Sequence, residues 1–168
     1  GLAAHLNSLG LNVSASDVRN VTGVSRDGTK ICGWGNSGSF VVTFENTWSD
    51  VGNGLAGTYG EPTLTGLGTL QGGTLVRVAL SGALENAQAG LIVGLSQANV
   101  PFKGGVLVPS PDIIVSPLTT SGTGTLLLST TWPNGVPSGF VTSFQQWVID
   151  PAGPKGFAAS NGLTGTAP

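Results

Sequence analysis

Few side chains in this 168-residue sequence could do acid–base, nucleophilic or metal chemistry. It holds one histidine, His5, one cysteine, Cys32, and eight acidic residues. A catalytic triad at His5 would need partners from distant loops, and a zinc site of the usual kind needs more His and Cys ligands than the chain has. Cys32 lacks a second cysteine and is expected to be a small buried side chain. We therefore expect no catalytic residue, no metal site and no cofactor.

The carboxylates are the remaining candidates for catalysis. Residues 61–168 hold four of them, Glu61, Glu85, Asp112 and Asp150. A glycosidase needs two carboxyl groups close together in a cleft. Asp112 and Asp150 instead lie at expected strand ends and Glu85 in an expected turn, so a non-enzymatic protein is the prediction and a hydrolase ranks third.

Aromatic residues give a second functional hypothesis, a glycan-binding module. Trp48, Tyr59 and Trp132 lie in segments rich in Gly, Pro and Asn, where an exposed ring could pack against a sugar and Asn134 could bond to it. Further hydrogen-bonding neighbours are Gln145, Gln146 and Asn161. Trp147 lies in an alternating apolar run and is expected to fill the core. A surface polysaccharide is the partner that this alternative implies.

The first 44 residues are expected to form a small helical and β unit. Leu2, Leu6 and Leu9 have helical spacing and precede Gly10, a residue suited to a helix C-cap, so residues 1–10 predict a short helix. Strand-like runs follow at 18–25, 29–34 and 39–44, the first two separated by an Asp-Gly turn. Such a three-stranded β-meander is too small to bury a core alone.

The rest of the chain predicts a β-sandwich. Residues 45–60 are rich in Gly, Asn, Ser and Asp and lack periodicity, so we interpret them as a linker. Short apolar runs separated by Gly, Pro or Asn then recur at 74–80, 89–96, 105–108, 112–116, 123–131, 140–149 and 155–160. This spacing predicts an all-β module over 61–168, a jelly-roll or immunoglobulin-like sandwich of about eight strands.

The N-terminal part resembles a bacterial repeat family. Residues 5–11 (HLNSLGL) and 22–35 (TGVSRDGTKICGWG) resemble the last unit of secreted HAF-type repeat proteins, in which a G-[IV]-S-x-D-G-x-x-[IV]-x-G hairpin recurs in a propeller-like array. A single copy excludes a closed propeller here. The resemblance implies that residues 1–44 are a remnant left after cleavage of a longer precursor.

The C-terminal part resembles a module of large surface proteins. Residues 101–109 (PFKGGVLVP), 144–153 (FQQWVIDPAG) and 159–163 (ASNGL) are similar to the C-terminal module of many secreted proteins of environmental bacteria, planctomycetes and myxobacteria among them. The resemblance implies an all-β module in a bacterial, extracellular setting, and it carries over no catalytic residue.

Charge and hydropathy limit the partners. Only 8% of residues are charged and the net charge is −2, so there is no basic stripe for nucleic acid. No apolar stretch is long enough to insert into a membrane. A surface that depends on neutral hydroxyl and amide groups, together with the resemblance, predicts a secreted protein, extracellular or on the cell surface.

Self-association is the leading hypothesis for function. A three-stranded unit with an incomplete core must cover its apolar face, and the low charge removes a usual defence against edge-to-edge pairing of strands. We expect copies of the chain to associate by β-strand addition or sheet packing, as a structural subunit of a surface or filamentous assembly. The expected contact residues are Val18, Val21, Val24, Ile31, Trp34, Phe40 and Val42.

Overall fold

A computed structural model describes residues 19–24, 30–36, 38–43 and 47–168. Within these residues the chain forms fourteen strands and a single turn of 3-10 helix, Pro154–Gly156. The predicted all-β class is confirmed. The helix expected over residues 1–10, together with Val18, lies outside the described residues.

The chain divides into two compact units, Gly1–Asn46 and Thr47–Pro168. The described strands of the first unit are β1 (Asn20–Val24), β2 (Lys30–Gly35) and β3 (Gly38–Thr43). They overlap the three strand-like runs expected from the sequence. They form one antiparallel sheet in the order β1-β2-β3. Gly38 opens β3 with a φ of 116°, a left-handed conformation that a side chain disfavours.

The second unit contains the remaining strands. They are β4 (Trp48–Gly52), β5 (Thr63–Leu67), β6 (Leu75–Ser81), β7 (Gln88–Gly94), β8 (Gln97–Phe102), β9 (Gly105–Pro109), β10 (Ile113–Thr119), β11 (Leu126–Thr131), β12 (Val141–Ile149), β13 (Phe157–Ala159) and β14 (Gly162–Thr166). The larger sheet has the order β10-β7-β12-β14-β4, with β13 also paired to β12. A smaller sheet has the order β11-β6-β5, and β8 and β9 form a hairpin.

Two hydrophobic clusters lie on opposite faces of the larger sheet. The main cluster combines residues of both sheets, such as Val76 and Leu80 of β6 with Leu91 of β7 and Phe144 of β12, which gives a sandwich-like arrangement. Its buried members are Leu64, Leu70, Val76, Val78, Leu80, Ala83, Ala87, Ala89, Leu91, Trp132, Phe144, Val148 and Leu163. The second cluster, beneath the β8–β9 hairpin, is formed by Ile92, Leu107, Trp147 and Ala159.

The segment expected to be a linker contains a strand. Within residues 45–60, Trp48–Gly52 forms β4, which pairs antiparallel with β14 at the edge of the larger sheet. The sequence pattern missed β4 because an edge strand whose side chains are mostly exposed does not need alternating apolar residues. Leu55 then bridges to Ala159 by two backbone hydrogen bonds of 2.9 and 3.0 Å. Residues 48–55 therefore belong to the second unit.

Candidate functional site

The most distinctive surface of the second unit lies between two edge strands. β10 ends the larger sheet and β11 ends the smaller one, and among the described strands neither pairs with the other. The loop 120–125 joins them at one end, where the Thr120 hydroxyl donates to the Leu84 carbonyl at 2.6 Å and Ser121 N–H donates to the Thr125 carbonyl at 2.7 Å. The two sheets are thus held together at this end and left open at the other.

At the open end, β10 presents aliphatic side chains to solvent. Ile113, Ile114 and Val115 are 53%, 60% and 39% exposed, and no residue of β10 is charged. Because side chains alternate along a strand, Ile114 points away from Ile113 and Val115. Natural edge strands are usually protected by charge, bulges or proline. Pro117 and a register shift between Val115 and Leu118 provide such protection only to the second half of β10.

An apolar cavity of about 480 Å³ lies behind this edge. Its wall is built from both sheets and from the segment that follows β11. The lining residues are Val76, Val78, Leu91, Val93, Leu95, Ile113, Val115, Leu128, Ser129, Thr130, Thr131, Trp132, Pro133, Val136, Phe140, Thr142 and Phe144. Apart from five hydroxyl or indole side chains these are hydrocarbon, and none is charged. The cavity can therefore hold apolar groups and offers them little hydrogen bonding.

Trp132 lies in the cavity wall and is only 8% exposed. Its backbone is fixed by two hydrogen bonds, from its own N–H to Thr74 at 2.8 Å and from Gly73 N–H to its carbonyl at 2.9 Å. Its indole Nε1 is buried and has no hydrogen-bond partner among the described residues. The expectation that the Trp132 ring is exposed and stacks on a sugar is therefore wrong. The ring belongs to the main hydrophobic cluster instead.

Trp48 also has a structural role. It is half-buried, its ring lies over Gly66 where no Cβ would fit, and its indole Nε1 donates to the Gly68 carbonyl at 2.9 Å. The Trp48 and Phe144 ring centroids are 5.5 Å apart. These contacts anchor edge strand β4 to β5 and to the core, and they occupy the ring that was expected to bind a sugar.

Tyr59 is the expected glycan-contact aromatic whose ring is well exposed, at 61%. Its hydroxyl donates to Glu85 Oε1 at 3.1 Å, and this hydrogen bond to a carboxylate raises the pKa of the phenol. Asn134, which is exposed, lies against Gly72 before the start of β6, whereas Glu85 follows the end of β6. A seven-residue strand is roughly 23 Å long. Tyr59 and Asn134 thus lie at opposite ends of the unit, and the four expected glycan contacts do not form one site.

The expected assembly residues of the first unit share a sheet. Cross-strand pairing aligns Val24, Ile31 and Val42, and it aligns Val21 with Gly33 and Phe40. A bulge between Val21 and Gly23 keeps Val21 and Val24 on the same face. Trp34 pairs with Asn20 and Ser39 and points to the opposite face. The structure therefore brings together five of the seven residues, places Trp34 apart, and does not describe Val18.

Two of the four carboxylates weighed as catalytic candidates, Asp112 and Asp150, accept hydrogen bonds from neighbouring residues. Asp150, 1% exposed, accepts hydrogen bonds from the Thr58 N–H and hydroxyl, both at 2.7 Å, and from Ala152 N–H at 3.0 Å. Burial alone would raise the pKa of Asp150. The three hydrogen bonds together lower its pKa by more than burial raises it, so the net shift is downward. Asp112 accepts from the Ser110 hydroxyl and from Leu95 N–H at 2.7 Å. Both groups are suited to remain ionised and to hold loops.

Two adjacent glutamines on β12, expected as sugar-binding neighbours, are fully buried instead. Gln145 Oε1 accepts from Val108 N–H at 3.0 Å and from Trp147 Nε1 at 3.1 Å. Its Nε2 lies within hydrogen-bond distance of the carbonyl oxygens of Val106, Ser160 and Asn53. Gln146 has no side-chain partner among the described residues, for either its Oε1 or its Nε2.

Asn161 is a third buried amide that the sequence suggested for sugar binding. Its Oδ1 accepts from Leu64 N–H at 2.7 Å and its Nδ2 donates to the Leu64 carbonyl at 3.2 Å. Leu64 belongs to β5 of the smaller sheet, whereas Asn161 precedes β14 of the larger one. The asparagine therefore ties the two sheets together, and a strand-like pair of bonds explains its burial.

Across residues 19–24, 30–36, 38–43 and 47–168, no cluster of three His, Cys, Asp or Glu side chains could hold a metal ion. No helix in this part of the chain is long and apolar enough to span a membrane. The chain matches no protein-family model, no curated protein and no solved structure.

Proposed function

We propose that this protein is a non-enzymatic structural or interaction subunit that associates with copies of itself by strand addition at β10. The observation that carries the proposal is the unpaired edge of β10, where Ile113, Ile114 and Val115 are exposed without a charged neighbour on the strand. Strand addition would satisfy the free backbone groups of this edge and cover its aliphatic side chains together.

The first unit supplies a second surface for the same function. The exposed apolar residues of the expected contact set on this sheet are Val21, Val24 and Trp34, whereas Ile31, at the centre of the row Val24–Ile31–Val42, is buried. Two apolar surfaces on one chain would allow each copy to bind two neighbours, which is the requirement for a filament or lattice. The low charge of the chain and its resemblance to bacterial surface modules support a location outside the cell.

The association test uses the full chain. We expect sedimentation velocity to show larger species as protein concentration rises, and negative-stain electron microscopy to show ordered assemblies. Ile114→Lys should raise the dissociation constant by at least about tenfold, because it removes an aliphatic side chain that association would bury and adds a charge to the edge.

Leu75→Lys is the matched control. The exposed fraction of Leu75, 52%, is similar to the 60% of Ile114, but Leu75 lies on β6 in the middle of the smaller sheet. Its replacement should leave association unchanged. Monomers at every concentration for the unmodified chain would refute self-association. Loss of association with Val24→Lys, together with normal association of Ile114→Lys, would instead place the interface on the first unit.

The glycan-binding alternative now depends on Tyr59, whose exposed ring lies beside Glu85. It predicts polysaccharide binding that Tyr59→Ala abolishes and Trp132→Phe leaves intact. No contact in the second unit favours it over association at β10.

A further inference from the structure

The sequence contains three Asn-Gly pairs, and the structure places them in three different environments. They are Asn53-Gly54, Asn134-Gly135 and Asn161-Gly162. An asparagine followed by glycine is the pair most prone to deamidation, because glycine has no side chain to keep its backbone nitrogen away from the asparagine amide. The reaction also needs an accessible amide and a backbone that can bend. The fold therefore decides which of the three pairs reacts.

The second pair meets both requirements. Asn134 and Gly135 are exposed and lie in the loop between β11 and β12. Neither the Asn134 side chain nor the Gly135 N–H has a hydrogen-bond partner among the described residues. Gly135 has a φ of 81°, and the space where its Cβ would lie is open. The amide carbon of Asn134 and the nitrogen that attacks it are thus free to approach each other.

The third pair is protected by the fold. Asn161 is only 9% exposed, and its Oδ1 and Nδ2 are both bonded to the backbone of Leu64 in the smaller sheet. Gly162 is tightly packed, since a Cβ there would collide with Val108. The Asn161 amide must break both bonds to Leu64 before it can turn toward the Gly162 nitrogen. Deamidation at this position therefore requires the two sheets to separate locally.

The first pair is intermediate, because its amide is exposed but its backbone is held. Asn53 has a φ of 66°, and its Nδ2 donates to the Val51 carbonyl at 3.2 Å. Its own carbonyl oxygen accepts from Gln145 Nε2 at 3.3 Å. Two residues further on, Leu55 is bonded to Ala159 through both backbone groups. The chain is thus fixed on both sides of the bond that must rotate.

We propose that Asn134 is a site of spontaneous covalent modification, which deamidates in the folded chain faster than Asn53 and much faster than Asn161. The Gly135 nitrogen forms a bond to Asn134 Cγ, the Cγ–Nδ2 bond breaks, and ammonia leaves with the proton of the Gly135 N–H. Water then opens the resulting succinimide, at Cγ to give aspartate or at the backbone carbonyl carbon to give isoaspartate. Either product adds a negative charge to a chain whose net charge is −2.

The modification changes the wall of the apolar cavity. Pro133 and Val136, on either side of the pair, line this cavity, and none of its lining residues is charged. A carboxylate at position 134 places a charge beside that wall, and isoaspartate also lengthens the backbone of the loop. The reaction takes place within one chain, so it does not depend on association at β10.

Tryptic digestion separates the three pairs, which makes the comparison direct. Cleavage after Lys and Arg yields the peptides 31–77, 104–155 and 156–168, with one Asn-Gly pair in each. The folded full chain is incubated in mildly alkaline buffer, and mass spectrometry follows the replacement of NH₂ by OH in each peptide. We expect Asn134 to react at least about tenfold faster than Asn161, because Asn161 must wait for local unfolding.

Two glycine variants separate the chemistry from the flexibility of the loop. Gly135→Ala should slow the reaction at Asn134, because a side chain on the attacking residue hinders ring closure. Gly139→Ala is the matched control and should leave the rate unchanged. Gly139 lies in the same loop, has a φ of 80° and likewise has open space where its Cβ would lie, so it carries the same backbone strain without altering the pair.

The full chain unfolded in guanidinium chloride supplies the reference rates, since each asparagine then differs only in its sequence neighbours. The spread between the three rates should shrink in this state. An unchanged spread would overturn the proposal, because the fold would then not set the order. It would also be overturned if Asn161 or Asn53 reacted as fast as Asn134 in the folded chain, or if Gly139→Ala slowed Asn134 as much as Gly135→Ala does.

Discussion

The two faces of strand β12 carry adjacent glutamines with opposite environments. Gln145 lies beneath the β8–β9 hairpin, where its amide lies within hydrogen-bond distance of five groups. Gln146 points toward the main cluster between the sheets, where its amide has no partner among the described residues. The hairpin side, which we call the closed face, is fixed by polar contacts. The other side, the open face, contains the Gln146 amide and lines the apolar cavity.

The two faces of β12 therefore differ in how completely their buried polar groups are paired. On the closed face the buried Gln145 amide holds neighbouring strands together, because both of its polar atoms have protein hydrogen-bond partners in place of water. The Ser143 hydroxyl on the same face lacks a partner among the described residues, so the pairing of polar groups on this face is incomplete. On the open face the groups without a partner among the described residues are the Gln146 amide and the Trp132 indole N–H. The open face therefore leaves more buried polar atoms uncompensated than the closed face does.

The largest expected effect is on the closed face. Gln145→Met keeps a similar side-chain length but leaves Val108 N–H and Trp147 Nε1–H buried without their acceptor. At about 1–3 kcal/mol for each unsatisfied group, we expect the free energy of unfolding to fall by about 3 kcal/mol or more. Urea unfolding followed by tryptophan fluorescence measures this change. A loss below about 1 kcal/mol would mean that the hairpin is not held by Gln145.

The same substitution one residue along gives the opposite sign. Gln146→Met replaces an unpaired buried amide with an apolar side chain of similar shape, so we expect a gain of about 1 kcal/mol in the free energy of unfolding. The Gln145 variant is the control, because both changes are chemically identical and lie on one strand. A destabilisation comparable to that of Gln145→Met would show that Gln146 has a partner, such as buried water.

Much of the closed and open faces could be predicted from sequence at the level of strands. Runs at 74–80, 105–108 and 140–149 correspond to β6 (Leu75–Ser81), β9 (Gly105–Pro109) and β12 (Val141–Ile149). These strands contain the alternating or continuous apolar runs that burial requires. β14 (Gly162–Thr166) was missed because it contains two glycines and two threonines. Gly162 and Gly165 are needed there, since a Cβ would collide with Val108 and Leu70.

Side-chain roles were much harder to predict than strands. Trp132 follows β11 in a Pro/Asn/Gly segment, which is typical of a surface loop, yet backbone bonds to Thr74 and Gly73 place its ring inside. The pair Gln145-Gln146 looks identical in sequence. Only the partners that the hairpin and β13 bring from distant positions decide which amide is bonded. The cavity also depends on how two sheets diverge, a property that no local pattern encodes.

The smallest predicted effect concerns acid stability and compares two aspartates that differ in exposure. Asp150 is buried and bonded to Thr58, whereas Asp112 is exposed and lies at the edge beside the cavity mouth. Both have a pKa below the ordinary value of about 3.9 for an aspartate in an unfolded chain. Each ionised group therefore stabilises the fold above about pH 4, and this stabilisation is lost as the pH falls through the pKa of the folded state.

Asp150→Asn and Asp112→Asn separate the two contributions when the free energy of unfolding is measured from pH 7 to pH 2.5. We expect Asp150→Asn to lower stability at pH 7 and to flatten the acid limb, because its three hydrogen bonds lie away from solvent and are weakly screened. Asp112→Asn should change the limb less, since water competes for an exposed carboxylate. A larger effect at Asp112 would mean that stability at low pH depends on the contacts at the cavity mouth more than on those between Asp150 and Thr58.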